Sequence, residues 1–498
     1  MTRSTLYIVA GLALAKLAVH LLTNGQYGYH RDELYYLASG NHPAAGYVDY
    51  PPITPLLARL DVLLLGNSPW ALRLMPSLVG AGLVVLAALI ARELGGGREA
   101  QILSALATAT SVLLFGTNWL FQTVTFDQLW WISAAYVFAR LLRTGDLRLW
   151  LVLGLLLGLG LETKVTIAGL CVGLVVGVLA TPTRAQLRSA WPWLCLALAG
   201  VLVAPNVIWQ QNNGWPTLEF VRTHSAVIQS PAQGLTLNLD SGGPAAFVAF
   251  QPLFIGFVTL PLWGAGWYFL FRQGQWRPLG ITALVTYVLF LFVGKAYYPG
   301  PLIPVLFAAG CVELERLSQR RGWRRAGPIV AALLVVQGIV GLPIGVPLVP
   351  ESSMARFGLD TFRKDFADTV GWPELVDQVA AAYRQVPPAD LPTTVIVAAN
   401  YGEAGAIELY GPSRGLPTAL SPELTFWYWK PAHVDARTLL TIGFPVTSIQ
   451  QVCPTAQVID RVRQVDGVRN EEVGRPIMLC QQPPFQLDDI WPQIRTFA

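Results

Sequence analysis

The feature that most constrains this chain is a succession of long apolar runs. They lie near residues 4–22, 70–91, 101–120, 124–142, 191–209, 246–271, 279–294, 299–315 and 327–348. As helix, each is long enough to cross roughly 30 Å of hydrocarbon. Backbone amides find no water there, so such runs must satisfy their hydrogen bonds internally. Only 13% of the 498 residues are charged, against about 25% in a soluble chain. That balance excludes a water-soluble globule, because too few polar groups exist to cover the apolar surface.

The stretch 149–181 has two readings. A single helix would be about 50 Å long at 1.5 Å per residue, with Glu162 and Lys164 stranded inside the membrane. Two spans would instead turn at Glu162-Thr163-Lys164. Charge decides between them. With two spans, Arg92/Arg98, Arg140/Arg143/Arg148, Arg184/Arg188, Arg272/Arg277 and the group Arg316, Arg320, Arg321, Arg324, Arg325 all fall on one side. With one span the last three clusters would lie outside, against the positive-inside bias. The expectation is a mainly α, polytopic membrane bundle of about eleven spans with a cytoplasmic N-terminus. The run after Arg3 has no small-residue cleavage site and reads as a retained first helix.

This topology places the loop 23–69, the turn at Glu162–Lys164, the loop 210–245, the turn Gly294–Tyr298 and the tail outside. The tail is polar and Pro-rich. In it Thr393–Ala399 and Thr438–Phe444 read as buried strands, and Gly402–Tyr410 as a helix following a strand. The division expected is a membrane domain over 1–349 and an extracytoplasmic α/β domain over 350–498. Cys171, Cys195 and Cys311 lie in apolar runs and read as small buried hydrophobes. Cys453 and Cys480, in the tail, are either a disulfide or two free thiols. A net charge of +4 with no basic block leaves no footprint for nucleic acid. The run Gly154–Lys164 lacks the glycine spacing of a phosphate loop and lies in a span.

The chemistry concentrates in the first outer loop, Tyr27-Gly28-Tyr29-His30-Arg31-Asp32-Glu33-Leu34-Tyr35-Tyr36, then Gly46-Tyr47-Val48-Asp49-Tyr50-Pro51-Pro52. One reading is a solvated loop whose Asp32 caps a helix. The other is a site: the Asp-Glu pair opens a membrane-proximal helix, and the Pro pair stiffens the backbone after Asp49. Thr54–Leu65 then makes an amphipathic helix suited to lying on the membrane. A carboxylate held at that boundary can deprotonate an acceptor hydroxyl within hydrogen-bond reach.

The order of first helix, long outer loop with Asp32-Glu33, many spans and an outer tail resembles the GT-C glycosyltransferases. Within them it is most similar to the dolichyl-phosphate-mannose protein mannosyltransferase-like branch, which includes the bacterial aminoarabinose transferases. The resemblance covers residues 5–350. It implies transfer of a sugar from a polyprenyl phosphate, usually with inversion, at the outer face of the plasma (inner) membrane. The family's catalytic acid maps onto Asp32, with Glu33 beside it. Asp127, at the outer start of the fourth span, matches an acidic position of the family. Lys164 matches a lysine at the turn between the fifth and sixth spans. Gly294-Lys295-Ala296-Tyr297-Tyr298-Pro299 resembles the turn that faces the lipid-phosphate donor, and a phosphate leaving group needs such a fixed cation.

The departures matter too. Relatives often carry His or Lys where Tyr50 stands, so phosphate neutralisation would fall on Lys295 and Arg31. Lys295 and Lys164 could alternatively be snorkelling lysines, with Glu162 pairing Lys164. Asp49 and His224 are candidate ligands for a divalent metal, against a solvated loop histidine. Asn400-Tyr401-Gly402-Glu403 also resembles this branch, with domain packing as the default role. The partners implied are the lipid bilayer, a polyprenyl-phosphate sugar, and a cell-envelope glycan, lipid or protein as acceptor. A secondary transporter would show repeated halves and midplane charges, neither of which is visible. A non-catalytic scaffold would leave the acidic loop without a purpose.

Overall fold

A computed structural model describes residues 1–228 and 243–497. Its membrane part begins with α1 (Arg3–Thr23), the loop helices α2 (Arg31–Asn41) and α3 (Ile53–Leu65), and α4 (Leu74–Glu93). There follow α5 (Arg98–Ala109), α6 (Val112–Trp119), α7 (Thr123–Thr144), α8 (Leu149–Leu161) and α9 (Ile167–Leu179). The rest are α10 (Trp191–Asn212), α11 (Pro216–Ile228), α12 (Pro244–Ile255), α13 (Leu260–Arg272), α14 (Arg277–Val293), α15 (Ile303–Arg321) and α16 (Ala326–Gly345).

Among the described residues five helical segments are long and apolar enough to cross a membrane alone: Arg3–Thr23, Pro69–Glu93, Trp191–Asn212, Gly274–Phe292 and Ala326–Gly345. Three bent pairs raise the number to eight if each is one span. The other apolar runs fall on α7, α8 and α15, where shorter length or more polar residues weaken the apolar signal. The protein is thus a multi-pass membrane protein. The turn at Glu162–Lys164 separates α8 from α9, as the charge argument requires.

Two runs expected to be single spans are broken. Helices α5 and α6 meet at 55°, and α12 and α13 at 107°. The second break has a local cause. Pro252 lacks an N–H for the helix ladder, and Gly256 takes φ +91° at the C-terminus of α12.

Lipid supplies no hydrophobic drive between helices, so close packing at small residues holds the bundle together. A Cβ at Gly310 would sit 1.9 Å from the Leu262 carbonyl oxygen, and one at Gly266 2.2 Å from that of Leu306, so α13 and α15 cross almost backbone to backbone. Gly154 does the same for α8 against the Cys195 carbonyl, at 2.6 Å. The glycines of that run therefore serve packing. On α3, Thr54, Ala58 and Asp61 are buried while Leu56, Leu60, Leu63 and Leu64 are exposed. That is the face expected of a helix lying on a bilayer.

The tail folds as helix α17 (Trp372–Tyr383), strand β1 (Thr394–Ala398), helix α18 (Tyr401–Tyr410), and strands β2 (Thr438–Ile442), β3 (Gln457–Arg461) and β4 (Pro476–Gln481). The sheet order is β1-β2-β4-β3, parallel between β1 and β2 and antiparallel elsewhere. Cys453 and Cys480 form a disulfide. Of the other cysteines, Cys195 and Cys311 are buried and Cys171 half-buried.

Candidate active site

Helix α2 starts where it does because of a capping box. The His30 ring accepts the Asp32 N–H at 3.1 Å, and Glu33 reaches back to the His30 N–H at 2.9 Å. His30 makes the cap, so the Asp32 carboxylate is released from that duty. Its Oδ1 accepts the Tyr401 hydroxyl at 2.8 Å. The Asp32 side chain keeps 34% exposure, enough to meet a substrate.

Glu33 is placed differently. Its Oε1 accepts from Arg73 Nε at 2.9 Å and the Phe121 N–H at 3.0 Å. Its Oε2 accepts from Arg73 Nη2 at 2.7 Å as well as from His30. Both side chains are fully buried. With four donors in place, the carboxylate has no acceptor site left for a substrate. Arg73 also donates to the carbonyls of Asn24, Tyr27 and Gly28, at 2.8, 3.2 and 2.6 Å. It thereby ties the first loop to the bundle. Arg73 stands inside the apolar run 70–91, where hydropathy averaged over neighbours hides a single arginine.

Asp49 accepts the Tyr35 hydroxyl at 3.0 Å. Burial pushes its carboxyl up to about 7, and the Tyr35 bond offsets part of the rise. Tyr50 is buried, its hydroxyl 2.7 Å from that of Ser39 and its ring packed on Tyr35 and Tyr36. Tyr50 therefore belongs to the aromatic core under the site, and its hydroxyl is engaged there.

The cations lie within electrostatic reach of these acids. Asp127 accepts from Trp131 Nε1 at 2.9 Å and from the Thr166 hydroxyl at 2.7 Å. Burial lowers the Lys164 ammonium to about 8, against the field of Asp127, and the nearby Lys295 lowers it further. The fields of Asp32 and Asp49 reach Lys164 as well. Its Nζ lies 5.6 Å from the Tyr298 ring centre and 6.0 Å from that of Tyr297. Gln251 holds this turn through the Ala296 carbonyl at 2.8 Å. Burial pushes the Glu162 carboxyl up to about 7, with Asn206 offsetting part of the rise. Arg31 pairs with Glu471 at 3.0 Å and lies over the Tyr401 ring, so it faces the tail.

The site thus gathers Asp32, Asp49, Asp127, Lys164 and the Lys295 turn, while Glu33 and Tyr50 hold its frame. The side chain of His224 lies outside the described residues. Among the described residues no group of three or more His, Cys, Asp or Glu is arranged to hold a metal. Chemically, a partly exposed carboxylate can take a proton from one reactant while nearby ammonium groups neutralise an anion on another.

The family described as dolichyl-phosphate-mannose-protein mannosyltransferase matches residues 49–209. ArnT from Cupriavidus metallidurans, solved bound to undecaprenyl phosphate, is 16% identical with a TM-score of 0.60, over 96% of this chain and 98% of that one. The oligosaccharyltransferase AglB from Archaeoglobus fulgidus, in complex with an inhibitory peptide and a dolichol-phosphate, is 12% identical with a TM-score of 0.50. The match spans 90% of this chain and 70% of that one. A mutant of the arabinofuranosyltransferase AftD from Mycobacteria is 15% identical with a TM-score of 0.52, over 96% and 42% of the two chains. Among curated proteins no relative is detectable by sequence. The fold is that of the GT-C membrane glycosyltransferases. Within that class the mannosyltransferase family model matches residues 49–209, and the likeness of fold to ArnT covers 96% of this chain.

Proposed function

We propose that this protein is an inverting glycosyltransferase that moves a sugar from a polyprenyl phosphate to an acceptor hydroxyl on the extracytoplasmic face of the plasma membrane. The observation that carries the reading is the partly exposed Asp32 carboxylate, whose field reaches Lys164 beside Lys295. Asp32 takes the proton of the acceptor hydroxyl. The freed oxygen attacks the anomeric carbon, the bond from that carbon to the phosphate oxygen breaks, and polyprenyl phosphate departs with the electron pair. Lys164 and Lys295, with Tyr297 and Tyr298, balance the phosphate charge. Asp127 orients Lys164, and Asp49 faces the acceptor. Glu33 acts through the fold, by fixing the start of α2. The undecaprenyl phosphate named with ArnT supports the donor class. The Cys453–Cys480 disulfide supports an oxidising compartment for the tail domain.

The test is transfer by the purified protein from polyprenyl-phosphate sugars, with mass spectrometry of the lipid-linked sugar that co-purifies to choose the donor. Asp32→Asn keeps size and most hydrogen bonds, so donor binding and folding should survive while transfer falls by about 10²-fold or more. Near-normal transfer by that variant would move the base to Asp49 or Asp127. Reporters fused after Arg325 and after residue 360 should lie on opposite sides of the membrane. Finding both on one side would overturn the sidedness.

A further inference from the structure

Two carboxylates of the first loop are each held by a tyrosine hydroxyl that leads to the tail. The first is direct: Tyr401, at the start of α18, donates to Asp32 Oδ1 at 2.8 Å. The second runs through Tyr35, whose hydroxyl lies 3.0 Å from Asp49 Oδ1 and 2.7 Å from the Thr425 hydroxyl. The Thr425 N–H donates to the same phenol oxygen at 3.0 Å, and Thr425 Oγ1 accepts the Val48 N–H at 3.0 Å. The two tyrosine rings stack on one another, their centres 4.8 Å apart.

We infer that the C-terminal domain is part of the catalytic machinery, with Tyr401 and Thr425 as positioning residues that aim Asp32 and Asp49. This rests on the transferase reading above.

The local construction explains why the tail can reach so far in. Asn400 and Glu403 form a capping box that fixes Tyr401 at the first position of α18. The Tyr401 N–H is held by Glu423 at 2.7 Å, and the Arg31 guanidinium covers its ring at 4.9 Å. Helix α18 then lies on α2 at a glycine. A Cβ at Gly405 would meet the Leu34 backbone at 3.1 Å. Mere packing of two domains needs no hydroxyl aimed at a partly exposed carboxylate. A phenol pre-set on one oxygen of Asp32 leaves the other oxygen to face an acceptor proton, and removes rotational freedom that would otherwise be lost in the transition state.

The test compares Tyr401→Phe, Asp32→Asn and the double variant in the full-length protein, on the polyprenyl-phosphate sugar that the wild type turns over. Phe keeps the ring stacking and deletes only the hydroxyl. Its kcat should fall by about tenfold with KM unchanged, and the double variant should be no slower than Asp32→Asn alone. Tyr383→Phe, which deletes a hydroxyl elsewhere in the same domain, should keep the wild-type kcat. If Tyr401→Phe keeps full kcat while Asp32→Asn loses it, the tail domain has no positioning role and the transferase reading stands. Equal losses in Tyr401→Phe and Tyr383→Phe would reduce Tyr401 to a general stabiliser and overturn the inference. If the wild type transfers nothing, the transferase reading falls and this inference with it; if Asp32→Asn is fully active, the base moves to Asp49 or Asp127 and the inference is overturned while the transferase reading stands.

Discussion

The guanidinium of Arg73 grips the Glu33 carboxylate twice, Nε to Oε1 at 2.9 Å and Nη2 to Oε2 at 2.7 Å, with neither side chain reaching solvent. Breaking such a pair leaves an uncompensated buried charge. Arg73→Ala should therefore destabilise the protein by about 3–5 kcal/mol. Replacing both partners with Met should recover much of the loss, because no charge is then stranded. Thermal unfolding in detergent checks both. A wild-type melting temperature for Arg73→Ala would show that other contacts hold the first loop in place.

Lys164 sets a pH dependence with a definite sign. Its ammonium, lowered to about 8 by burial, is charged below that pH and neutral above it. Donor affinity should weaken as pH rises through about 8. Lys164→Arg, which stays charged, should move that loss to higher pH. The stability linkage runs the other way. Between about 8 and 10.5 the unfolded lysine holds a proton that the folded one lacks, so this group favours folding more as pH rises through that window. Polyprenyl phosphate titrations on either side of pH 8 decide the point, and a flat wild-type profile would take Lys164 off the phosphate.

Lys295→Ala removes the other proposed phosphate cation. A charge-assisted contact contributes about 1.5–3 kcal/mol, so prenyl phosphate affinity should drop by one to two orders of magnitude and turnover should slow. Unchanged affinity would assign Lys295 to anchoring at the membrane boundary.

Gly310→Ala tests the bundle itself. The added methyl would overlap the Leu262 carbonyl, while Gly264, one helix away, has nothing within 4 Å of its Cβ position. The first substitution should cost about 1–3 kcal/mol from overpacking, and Gly264→Ala should be close to neutral. Equal melting temperatures for the two would show that α13 and α15 can separate at no cost.

Much of this architecture was legible in the sequence. The apolar runs fall on helices, the turn at Glu162–Lys164 is real, α3 is amphipathic, and β1, β2 and α18 lie where strand and helix patterns put them. The misses have physical reasons. Strand β3 is largely exposed and alternates weakly, so no apolar period marks it. The bend after Gly256 was marked by Pro252 and Gly256, but hydropathy averages over single residues and passed across it. At the site, Asp32, Asp49, Asp127, Lys164 and the Lys295 turn announced themselves by residue type beside a membrane span. Arg73 did not, because it is one charge within an apolar run, and the segment around Tyr401 stood out only as a candidate for domain packing, because its contact with Asp32 depends on the fold.

By itself the sequence determined that this chain lives in a membrane, which stretches are helical, and which polar segments escape the lipid. Those properties follow from hydropathy and charge, and both are summed over neighbours along the chain. The tertiary structure alone decided that Glu33 is buried in an ion pair while Asp32 beside it stays accessible. It also decided that Asp32 meets a tyrosine 369 residues away. Adjacent residues on a helix point about 100° apart, so the packing of remote elements, and not the pattern of neighbours, sets what each side chain meets.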